Sequence, residues 1–460
     1  MLFPTLNFAL FFVAIFAASW ALARRPLTRN ATLVAASYAF YAFWDWRFCF
    51  LLGFSTLFNW AAGKALASPM DGPAKTRVLA LAVATNLALL GFFKYYDFFL
   101  VSLGTLLAQA GFARDLPLLS LVVPVAISFF TFHAISYLVD IRRGHLDKPA
   151  GLADMALYLS FFPQLVAGPI VRAAHFLPQI AAPADPDRIA MTRAFLLIAL
   201  GLLKKVFVAT WLAGLHADEM FRDPALYSAG DLLLGMYAYA LQIYCDFSAY
   251  TDIAIGVAAL LGYRFPINFD QPYRAASPAE FWRRWHISLS SWLRDYLYIP
   301  LGGDTGTRRV YVNLALVMLL GGLWHGAAWH FVVWGLLHGA ALIAARAIPL
   351  SLPRALAIFL TFHFVCLTWV FFRAPDLGRA LEYLSGLARP GWPEHAGVFV
   401  VALIAAGLAS QFLPKDRLER SEALVVRWPA WAQGAALGAA IVIVDAIGPK
   451  GVAPFIYFQF

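Results

Sequence analysis

The stretch Gly321–Gly339 reads GGLWHGAAWHFVVWGLLHG, and it combines a membrane-like composition with His325, His330 and His338. Its length approaches the ~20 apolar residues that a helix needs to cross a bilayer. Ionisable side chains are costly at that depth, since a charged residue at the bilayer centre costs about 2.5–3.5 kcal/mol. The segment therefore predicts membrane-embedded helix in which the histidines are the first candidates for function.

The composition of the whole chain supports this interpretation. Of its 460 residues, 62% are hydrophobic and only 13% are charged, whereas a soluble domain is about half apolar and about a quarter charged. We expect an all-α, polytopic integral membrane protein with roughly 10–13 transmembrane helices, plus re-entrant and interfacial helices, around a central tunnel. We treat residues 1–460 as one membrane domain, with peripheral helices in 1–115, a catalytic core in 116–347 and further helices in 348–460.

The distribution of basic residues predicts the orientation of the chain. Arg24, Arg25 and Arg29 follow the first apolar run, and no basic residue precedes it. A cleaved signal peptide has the opposite order, and the positive-inside rule places the N-terminus outside and the first loop in the cytoplasm. The net charge of +9 fits basic loops that face anionic lipid. Because Lys and Arg are scattered among loops, we expect membrane lipid and no nucleic acid as a partner.

The three cysteines give no sign of a disulfide or of a metal site. Cys49, Cys245 and Cys366 are isolated, and their spacing matches no metal-binding pattern. We interpret them as small buried hydrophobic residues and predict no metal.

Polar residues interrupt the apolar segment Tyr237–Gly256, YAYALQIYCDFSAYTDIAIG, within a run Asp231–Leu261 long enough for two short helices or one tilted helix. At helical spacing they fall on two lines. These lines are Gln242, Asp246 and Tyr250, and Tyr244, Ser248 and Asp252. They are equally consistent with hydrogen bonds between helices and with the lining of a substrate tunnel, and a proton relay is a third alternative.

A second polar segment, Tyr273–Gly303, predicts an interfacial helix. Ser277, Pro278 and Glu280 form a capping box with proline at the first helical position, and we expect the helix to continue to about Asp295. Tryptophans and arginines on an amphipathic helix are typical of the membrane–water interface.

Three residues of this helix are candidates for more than anchoring. His286 lies on the apolar side, near Trp285, which we expect to line the substrate tunnel together with Trp324. Arg283 and Arg284 are suited to bind either anionic lipid headgroups, which requires only an anchoring role, or the phosphates of a donor substrate.

The three histidines of the opening stretch are not equivalent. On a single helix, His330 and His338 would lie about 140° and 220° from His325, which excludes a three-histidine metal site. We single out His325, beside Trp324 and Gly326, where a missing side chain leaves room for a ligand. His330 and His338 are interpreted as hydrogen-bonded packing residues.

A helix break is predicted in Leu157–Arg172, LYLSFFPQLVAGPIVR. Pro163 and Pro169 interrupt an apolar run, and broken backbone at membrane depth is tolerated where it is buried in protein or lines a cavity. Pro163 and Gln164 are therefore expected in a re-entrant element at a tunnel, and a simple proline kink is the alternative.

Together these segments resemble the bacterial branch of the membrane-bound O-acyltransferase family, most closely its members that acetylate alginate. The resemblance spans the whole chain and is densest from 90 to 340. Its motifs are FKYYDFF (93–99), PVAISFFTFHAISYLVDIRRG (124–144), LSFFPQLVAGPIVR (159–172), YCDFSAYTDIAIG (244–256), FPINFDQPYRAASPAEFWRRWHISLSSWLRDYLYIPLGG (265–303), GGLWHGAAWHFVVWG (321–335) and PFIYFQF (454–460). The family pattern often has Gln at His133, which we interpret as a packing change.

The resemblance implies roles for several residues. His325 matches the family's invariant histidine and His286 its second polar position. His325 is then the general base, because an imidazole with an ordinary pKa of about 6.5 can take a hydroxyl proton when burial keeps it uncharged. His286 would orient the acceptor or stabilise charge, and either histidine could instead hold a transient acyl group.

The resemblance also implies the reaction. A cytoplasmic thioester, acetyl-CoA or an acyl carrier protein, would donate an acetyl group that crosses a bacterial inner membrane for O-acetylation of an exported polysaccharide such as alginate, through a periplasmic acetyltransferase partner. No bound cofactor is expected. Acetylation of peptidoglycan or cellulose and D-alanyl transfer from a carrier protein are alternatives. A proton-coupled transporter and a non-catalytic scaffold are alternatives of other classes.

Overall fold

The computed structural model describes residues 3–112 and 114–447, so the expected motif Pro454–Phe460 lies outside the described residues. Of the chain, 75% is helical, and the described part contains no strand. This confirms the all-α class. The chain forms two compact units, the first containing Thr5–Ile189 with Leu261–Tyr263, and the second containing Ala190–Leu260 and the described chain from Arg264 on. The expected three-part division of one domain stays a prediction.

Helices account for most of each unit. In the first unit they are α1 (Leu6–Ala21), α2 (Pro26–Asp45), α3 (Phe48–Ala67), α4 (Gly72–Gln109), α5 (Ile127–Arg143), α6 (Leu152–Ser160), α7 (Phe162–Leu165) and α8 (Ala173–Ala181). In the second unit they are α9 (Met191–Leu202), α10 (Thr210–Leu212), α11 (Asp218–Arg222), α12 (Ala229–Leu260), α13 (Pro278–Arg284), α14 (Ile287–Leu293), α15 (Thr307–His325), α16 (Trp329–Ala347), α17 (Arg354–Arg373), α18 (Leu377–Gly386), α19 (Val398–Ala409), α20 (Arg417–Val425) and α21 (Ala430–Ile447).

Several of these helices are long and apolar enough to cross a membrane. Among the described residues there are five, or six if the pair Val398–Phe412 and Arg417–Val425, bent by 91°, counts as one span. The five are Gly72–Gln109, Met191–Arg222, Ala229–Leu260, Trp329–Ala347 and Arg354–Arg373. The multi-pass class is therefore confirmed, while fewer helices meet this criterion than the ten to thirteen expected. Two further apolar helices, Leu6–Ala21 and Ala430–Val444, are too short to meet it.

The stretch Asp231–Leu261, which the sequence left open as one helix or two, forms the single helix α12. It contains no proline, and it is 83% buried over its most apolar part. The helix ends just before Gly262, whose φ of +86° is left-handed and easily adopted by glycine. This one long helix carries both predicted lines of polar residues.

The span Met191–Arg222 is not a regular α-helix throughout. Leu203–Ala209 and Ala213–Ala217 are wound as π-helix. Such turns are rare and are frequent at functional sites. The first of them faces α12 and carries Lys204 and Lys205.

In the first unit the predicted break falls at Phe161, between α6 and α7. Pro163 occupies the first turn of α7, where a missing N–H costs nothing, and the Gln164 Nε2 donates to the Tyr158 carbonyl oxygen at 2.6 Å. The break is confirmed, and its proposed relation to a tunnel stays a prediction.

Arg29 is not part of the first loop, contrary to the sequence prediction. It lies in α2, is 5% exposed, and donates to the Ser19 Oγ at 3.0 Å, the Tyr263 hydroxyl at 3.2 Å and the Leu261 carbonyl oxygen at 2.5 Å. Its guanidinium also lies over the rings of Trp20 and Tyr263. Arg29 therefore satisfies carbonyl and hydroxyl groups inside the first unit, which leaves Arg24 and Arg25 as the exposed basic pair of that loop.

Candidate active site

His286 lies at a break between two short helices. The single helix expected from Ser277 to about Asp295 is wrong, because α13 ends at Arg284 and α14 begins at Ile287. Between them His286 has φ 43° and ψ 55°, a left-handed conformation that is uncommon for a residue with a side chain. It is fully buried. Backbone strain of this kind concentrates at functional sites, where surrounding contacts hold it.

The start of α13 is as the sequence predicts. The Ser277 Oγ accepts from the Glu280 N–H at 3.1 Å, and the Glu280 carboxylate accepts from the Ala276 N–H at 2.9 Å. Burial alone would raise the pKa of Glu280, but the Ala276 N–H and the Arg284 guanidinium lower it below its ordinary value. The capping box therefore fixes the entry into the segment that carries His286.

A loop that precedes α13 holds the His286 ring. The Asn268 Oδ1 lies 3.3 Å from the His286 Nδ1, and it also accepts from the Ser288 N–H at 3.0 Å and the Ser288 Oγ at 2.9 Å. The Asn268 carbonyl oxygen accepts from the Ile287 N–H at 3.0 Å. Asn268 thus contacts the ring of the left-handed residue and the backbone of the two residues that follow it.

His325 is the last residue of α15, and His330 and His338 belong to α16. The angles expected on a single helix therefore do not apply. A Cβ at Gly326 would overlap the Phe331 ring, so the space expected there for a ligand is filled by the protein. Gly326 itself has an extended backbone, with φ −163° and ψ 151°, so its missing side chain serves the close approach of the Phe331 ring.

Glycines allow a close approach between α15 and α16. A Cβ at Gly322 would meet the Gly335 Cα at 3.1 Å, and a Cβ at Gly335 would overlap the Met318 carbonyl oxygen. The two helices thus pack backbone to backbone, which places the end of α15 against the start of α16.

Aromatic rings surround His325, which is 6% exposed. Its ring centroid lies 5.0 Å from Trp324, 5.0 Å from Trp334 and 5.1 Å from Phe372, and all three contacts are edge-to-face. The imidazole is therefore held in a largely water-excluded site within the second unit.

The two candidate catalytic histidines meet at Trp324. The Trp324 ring centroid lies 6.0 Å from that of His286 and 5.0 Å from that of His325. His286 also packs edge-to-face on Phe247 of α12, at 4.7 Å. The structure thus brings together His286, His325 and Trp324, which the sequence singled out, with Phe247, which it did not.

The other two histidines make the packing contacts expected of them. The His330 Nδ1 lies 2.8 Å from the Phe371 carbonyl oxygen. The Trp282 Nε1 donates to the His338 Nδ1 at 3.3 Å, and the His338 Nε2 lies 3.0 Å from the Thr368 Oγ1. His338 thereby joins α13, α16 and α17 behind the site.

The carboxylates of α12 are held by lysines that sequence reasoning missed. The Lys205 Nζ lies 2.7 Å from the Asp246 Oδ1, and both side chains are almost completely buried. The Lys204 Nζ lies 2.6 Å from the Asp252 Oδ2 and 2.8 Å from the Ser248 Oγ. The sequence did contain a signal for these ion pairs, because two consecutive lysines interrupt the apolar run 194–215.

These ion pairs agree with the helix–helix interpretation of the polar lines. The predicted tunnel-lining residues of α12, which are Gln242, Asp246, Ser248 and Tyr250, are all buried. Trp285 is buried against Phe269 and Trp369, at 5.0 and 4.9 Å. Pro163 and Gln164 belong to the first unit. The tunnel-lining role stays a prediction for each of them.

The two arginines predicted to meet donor phosphates differ in their surroundings. The Arg284 guanidinium lies 2.8 Å from a Glu280 carboxylate oxygen and 3.0 Å from one of Asp270, so its charge is already neutralised. Arg283 is exposed. The phosphate contact stays a prediction, and Arg283 is the better placed of the two.

The sequence also led to predictions about the three cysteines and about metal binding. Cys245 and Cys366 are buried, and Cys49 is partly buried. Within 3–112 and 114–447, no cluster of His, Cys, Asp and Glu could hold a metal ion.

Comparison with known proteins gives the site its context. The sequence model of the membrane-bound O-acyltransferase family matches residues 83–356, more than half of the chain. "Probable alginate O-acetylase AlgI" of Azotobacter vinelandii is 41% identical over 370 residues, which cover 78% of this chain and 72% of that protein. "Peptidoglycan O-acetyltransferase" of Helicobacter pylori is 39% identical over 403 residues, covering 80% and 75%. "Teichoic acid D-alanyltransferase" of Streptococcus thermophilus is 30% identical over 287 residues, covering 55% and 69%.

The matched family and the relatives named above share one class of chemistry, which is acyl transfer. This confirms that the chain is an enzyme and rejects the transporter and scaffold alternatives. The matched residues 83–356 include both His286 and His325. The chain therefore belongs to the membrane-bound O-acyltransferase family and is an O-acyltransferase.

Proposed function

We propose that the enzyme moves an acetyl group from a cytoplasmic thioester, acetyl-CoA, across the membrane for O-acetylation of an exported polysaccharide of the alginate type. The observation that carries this proposal is the burial of His325 and His286, whose rings both contact Trp324. The alginate O-acetylase relatives, at 41% identity, support the choice of acyl group and acceptor class.

The chemistry that this pair can perform is acyl transfer to a hydroxyl group. The acceptor oxygen attacks the thioester carbonyl carbon while its proton moves to His325, the general base. The new C–O bond forms, the C–S bond breaks, and His325 returns the proton to the departing thiolate. Edge-to-face contacts with Trp334 and Phe372 hold the imidazole in place and exclude water, which protects the thioester from hydrolysis.

The last transfer, onto the polymer, is assigned to a partner enzyme on the outer face of the membrane. Helices account for most of the described chain in both units. A polysaccharide is large and hydrophilic, so an extracytoplasmic protein is better suited to bind it than a membrane-embedded pocket lined by aromatic rings.

Peptidoglycan is a second candidate acceptor. The observation in its favour is the Helicobacter pylori relative, which is 39% identical over 80% of this chain. The same histidines and the same thioester chemistry would serve, because in either case a partner enzyme makes the last transfer onto a sugar hydroxyl group.

Substitution of the general base tests the proposed function. A His325→Ala variant should abolish O-acetylation, measured as ester acetate on alginate and on peptidoglycan isolated from the producing cells, while the variant stays in the membrane at wild-type level. His330→Ala is the matched control, because it removes a buried imidazole at the start of the next helix that contacts a backbone carbonyl oxygen, and it should retain activity.

Each outcome of this experiment has a definite meaning. Substantial ester acetate with His325→Ala would overturn the assignment of the base. Loss of acetate from peptidoglycan alone would replace alginate by peptidoglycan as the acceptor. An unchanged acetate content of both polymers after deletion of the gene would reject both.

A further inference from the structure

Asn268 contacts His286 through one atom of its side-chain amide. A neighbouring backbone N–H shows that this atom is the oxygen and not the nitrogen. Its side chain is 1% exposed, and its Oδ1 lies 3.0 Å from the Ser288 backbone nitrogen and 3.3 Å from the His286 Nδ1. A backbone N–H can only donate. The amide atom that faces it must therefore be the oxygen, because the NH₂ group of the same amide is also only a donor.

The protonation of His286 follows from this assignment. The atom facing its Nδ1 is an acceptor, so Nδ1 must carry the hydrogen. In a neutral imidazole one nitrogen carries hydrogen and the other a lone pair, which leaves the lone pair on Nε2. That Nε2 is buried and has no hydrogen-bond partner among the described residues.

We propose that Asn268 is a positioning residue that sets the tautomer and the ring orientation of His286, so that the His286 Nε2 accepts a hydrogen bond from a hydroxyl group of the acceptor substrate. This inference rests on the proposed function and narrows it. An Nε2 without hydrogen cannot donate to the oxyanion of the tetrahedral intermediate. His286 therefore orients the acceptor and does not stabilise charge on the thioester oxygen.

A purely structural role for Asn268 makes different predictions. Its backbone carbonyl oxygen and its Oδ1 already bind Ile287 and Ser288, and these contacts alone could hold the break between α13 and α14. A structural role would lower stability without changing the tautomer of His286. A positioning role changes the tautomer and the maximal rate together.

The test compares substitutions at Asn268 in the full-length chain, in membranes of the producing strain that also contain its partners. The probes are radiolabelled acetyl-CoA and deacetylated alginate. Asn268→Leu has nearly the same size and lacks the acceptor oxygen, and it should lower the maximal rate of acetyl transfer about 10- to 100-fold, as the loss of an orienting hydrogen bond does elsewhere. The KM for acetyl-CoA should stay unchanged, because the proposal assigns Asn268 to the acceptor side of the reaction, through His286.

Two further variants make the comparison specific. Asn268→Asp keeps an oxygen facing Nδ1 and should recover most of the rate. Asn86→Leu is the matched control, because it removes an equally buried amide that pairs with Asn59 in the first unit, and it should keep the wild-type rate. Should Asn268→Leu fail to insert, Asn268→Ser, which is too short to reach His286, replaces it.

The imidazole nitrogens report the tautomer directly. Solid-state ¹⁵N spectra of histidine-labelled protein, with His286 assigned from a His286→Gln variant, should show hydrogen on Nδ1 in the wild type and a redistributed tautomer in Asn268→Leu. A wild-type rate in Asn268→Leu, or a wild-type spectrum with hydrogen on Nε2, would overturn the inference. A wild type that transfers no acetyl group from acetyl-CoA would reject the proposed function instead, and the spectra would still decide the tautomer.

Discussion

His286 and His325 reach the same site by different local means. His325 ends a regular helix and is placed by the packing of α15 on α16 through Gly322 and Gly335. His286 lies between two helices in a left-handed conformation that Asn268 supports. The second arrangement depends on a residue 18 positions earlier in the chain, so its energy comes from tertiary contacts and not from local propensity.

His338 supports the site from behind, and its replacement tests how much stability that support contributes. In His338→Leu the part-buried Trp282 N–H loses its acceptor, whereas Thr368 keeps its bond to the Val365 carbonyl oxygen. An unsatisfied buried donor costs about 1–3 kcal/mol. We expect a lower unfolding temperature in detergent, measured by the intrinsic fluorescence of the tryptophans.

The companion variant for this prediction is Trp282→Phe, which removes the donor and keeps an aromatic ring. The double variant His338→Leu with Trp282→Phe should be more stable than His338→Leu alone, because no part-buried N–H is then left without an acceptor. Additive losses in the double variant would show that the hydrogen bond contributes nothing.

At the scale of elements, the π-helical turn Leu203–Ala209 and α12 are joined by two ion pairs of unequal burial. Lys205 and Asp246 are 2% and 4% exposed, whereas Lys204 and Asp252 are 13% and 21% exposed. Removing one partner of a buried pair leaves an uncompensated charge, which costs about 3–5 kcal/mol. We therefore expect Lys205→Met to reduce the folded yield strongly and Lys204→Met to reduce it less, measured by size-exclusion profiles after extraction.

Replacement of both partners distinguishes charge from packing. Lys205→Met combined with Asp246→Leu places two apolar residues between the helices and should recover most of the yield, since well-packed hydrophobic replacements of buried pairs are often neutral or stabilising. A double variant as poor as Lys205→Met alone would mean that this ion pair has a role beyond satisfying its own charges.

The same elements show what the sequence could and could not predict. The start of α13 was predictable, because Ser277, Pro278 and Glu280 act through contacts within one turn. The break at His286 was not, because no glycine or proline marks it and Asn268 supports it from a distance. The lysine partners of Asp246 and Asp252 could not be assigned from the sequence either. A sequence shows which helices carry charged residues, but it does not show which helices pack against each other.

At the scale of the whole molecule, the orientation in the membrane rests on fewer charges than the sequence suggested. Arg29 is buried in α2, so the loop between α1 and α2 exposes only Arg24 and Arg25. The opposite end of α2 exposes Arg47, which pairs with Asp45 at 2.6 Å and so adds little net charge there. The imbalance still favours a cytoplasmic first loop and an external N-terminus.

Cysteine labelling tests this orientation, and the small number of native cysteines makes it practical. Replacing Cys49, Cys245 and Cys366 by alanine gives a cysteine-free background. In intact spheroplasts we expect an Arg47→Cys variant to react with a membrane-impermeant maleimide, and an Arg24→Cys variant to react only after the membrane is permeabilised. The two positions flank α2, whose residues Pro26–Asp45 span about 30 Å at 1.5 Å per residue. That length matches the hydrocarbon core, although α2 is not among the five helices that meet the combined length and hydropathy criterion.

The reversed pattern would place the N-terminus in the cytoplasm, and equal labelling of both positions would mean that α2 does not cross the membrane. Either result would reject the predicted orientation of the first loop, but not the cytoplasmic donor, because the donor is inferred from the resemblance to the family and not from the charge imbalance. The catalytic assignments of His325 and His286 would be unaffected, since they depend on contacts within the second unit. Topology and chemistry are therefore separately testable in this protein.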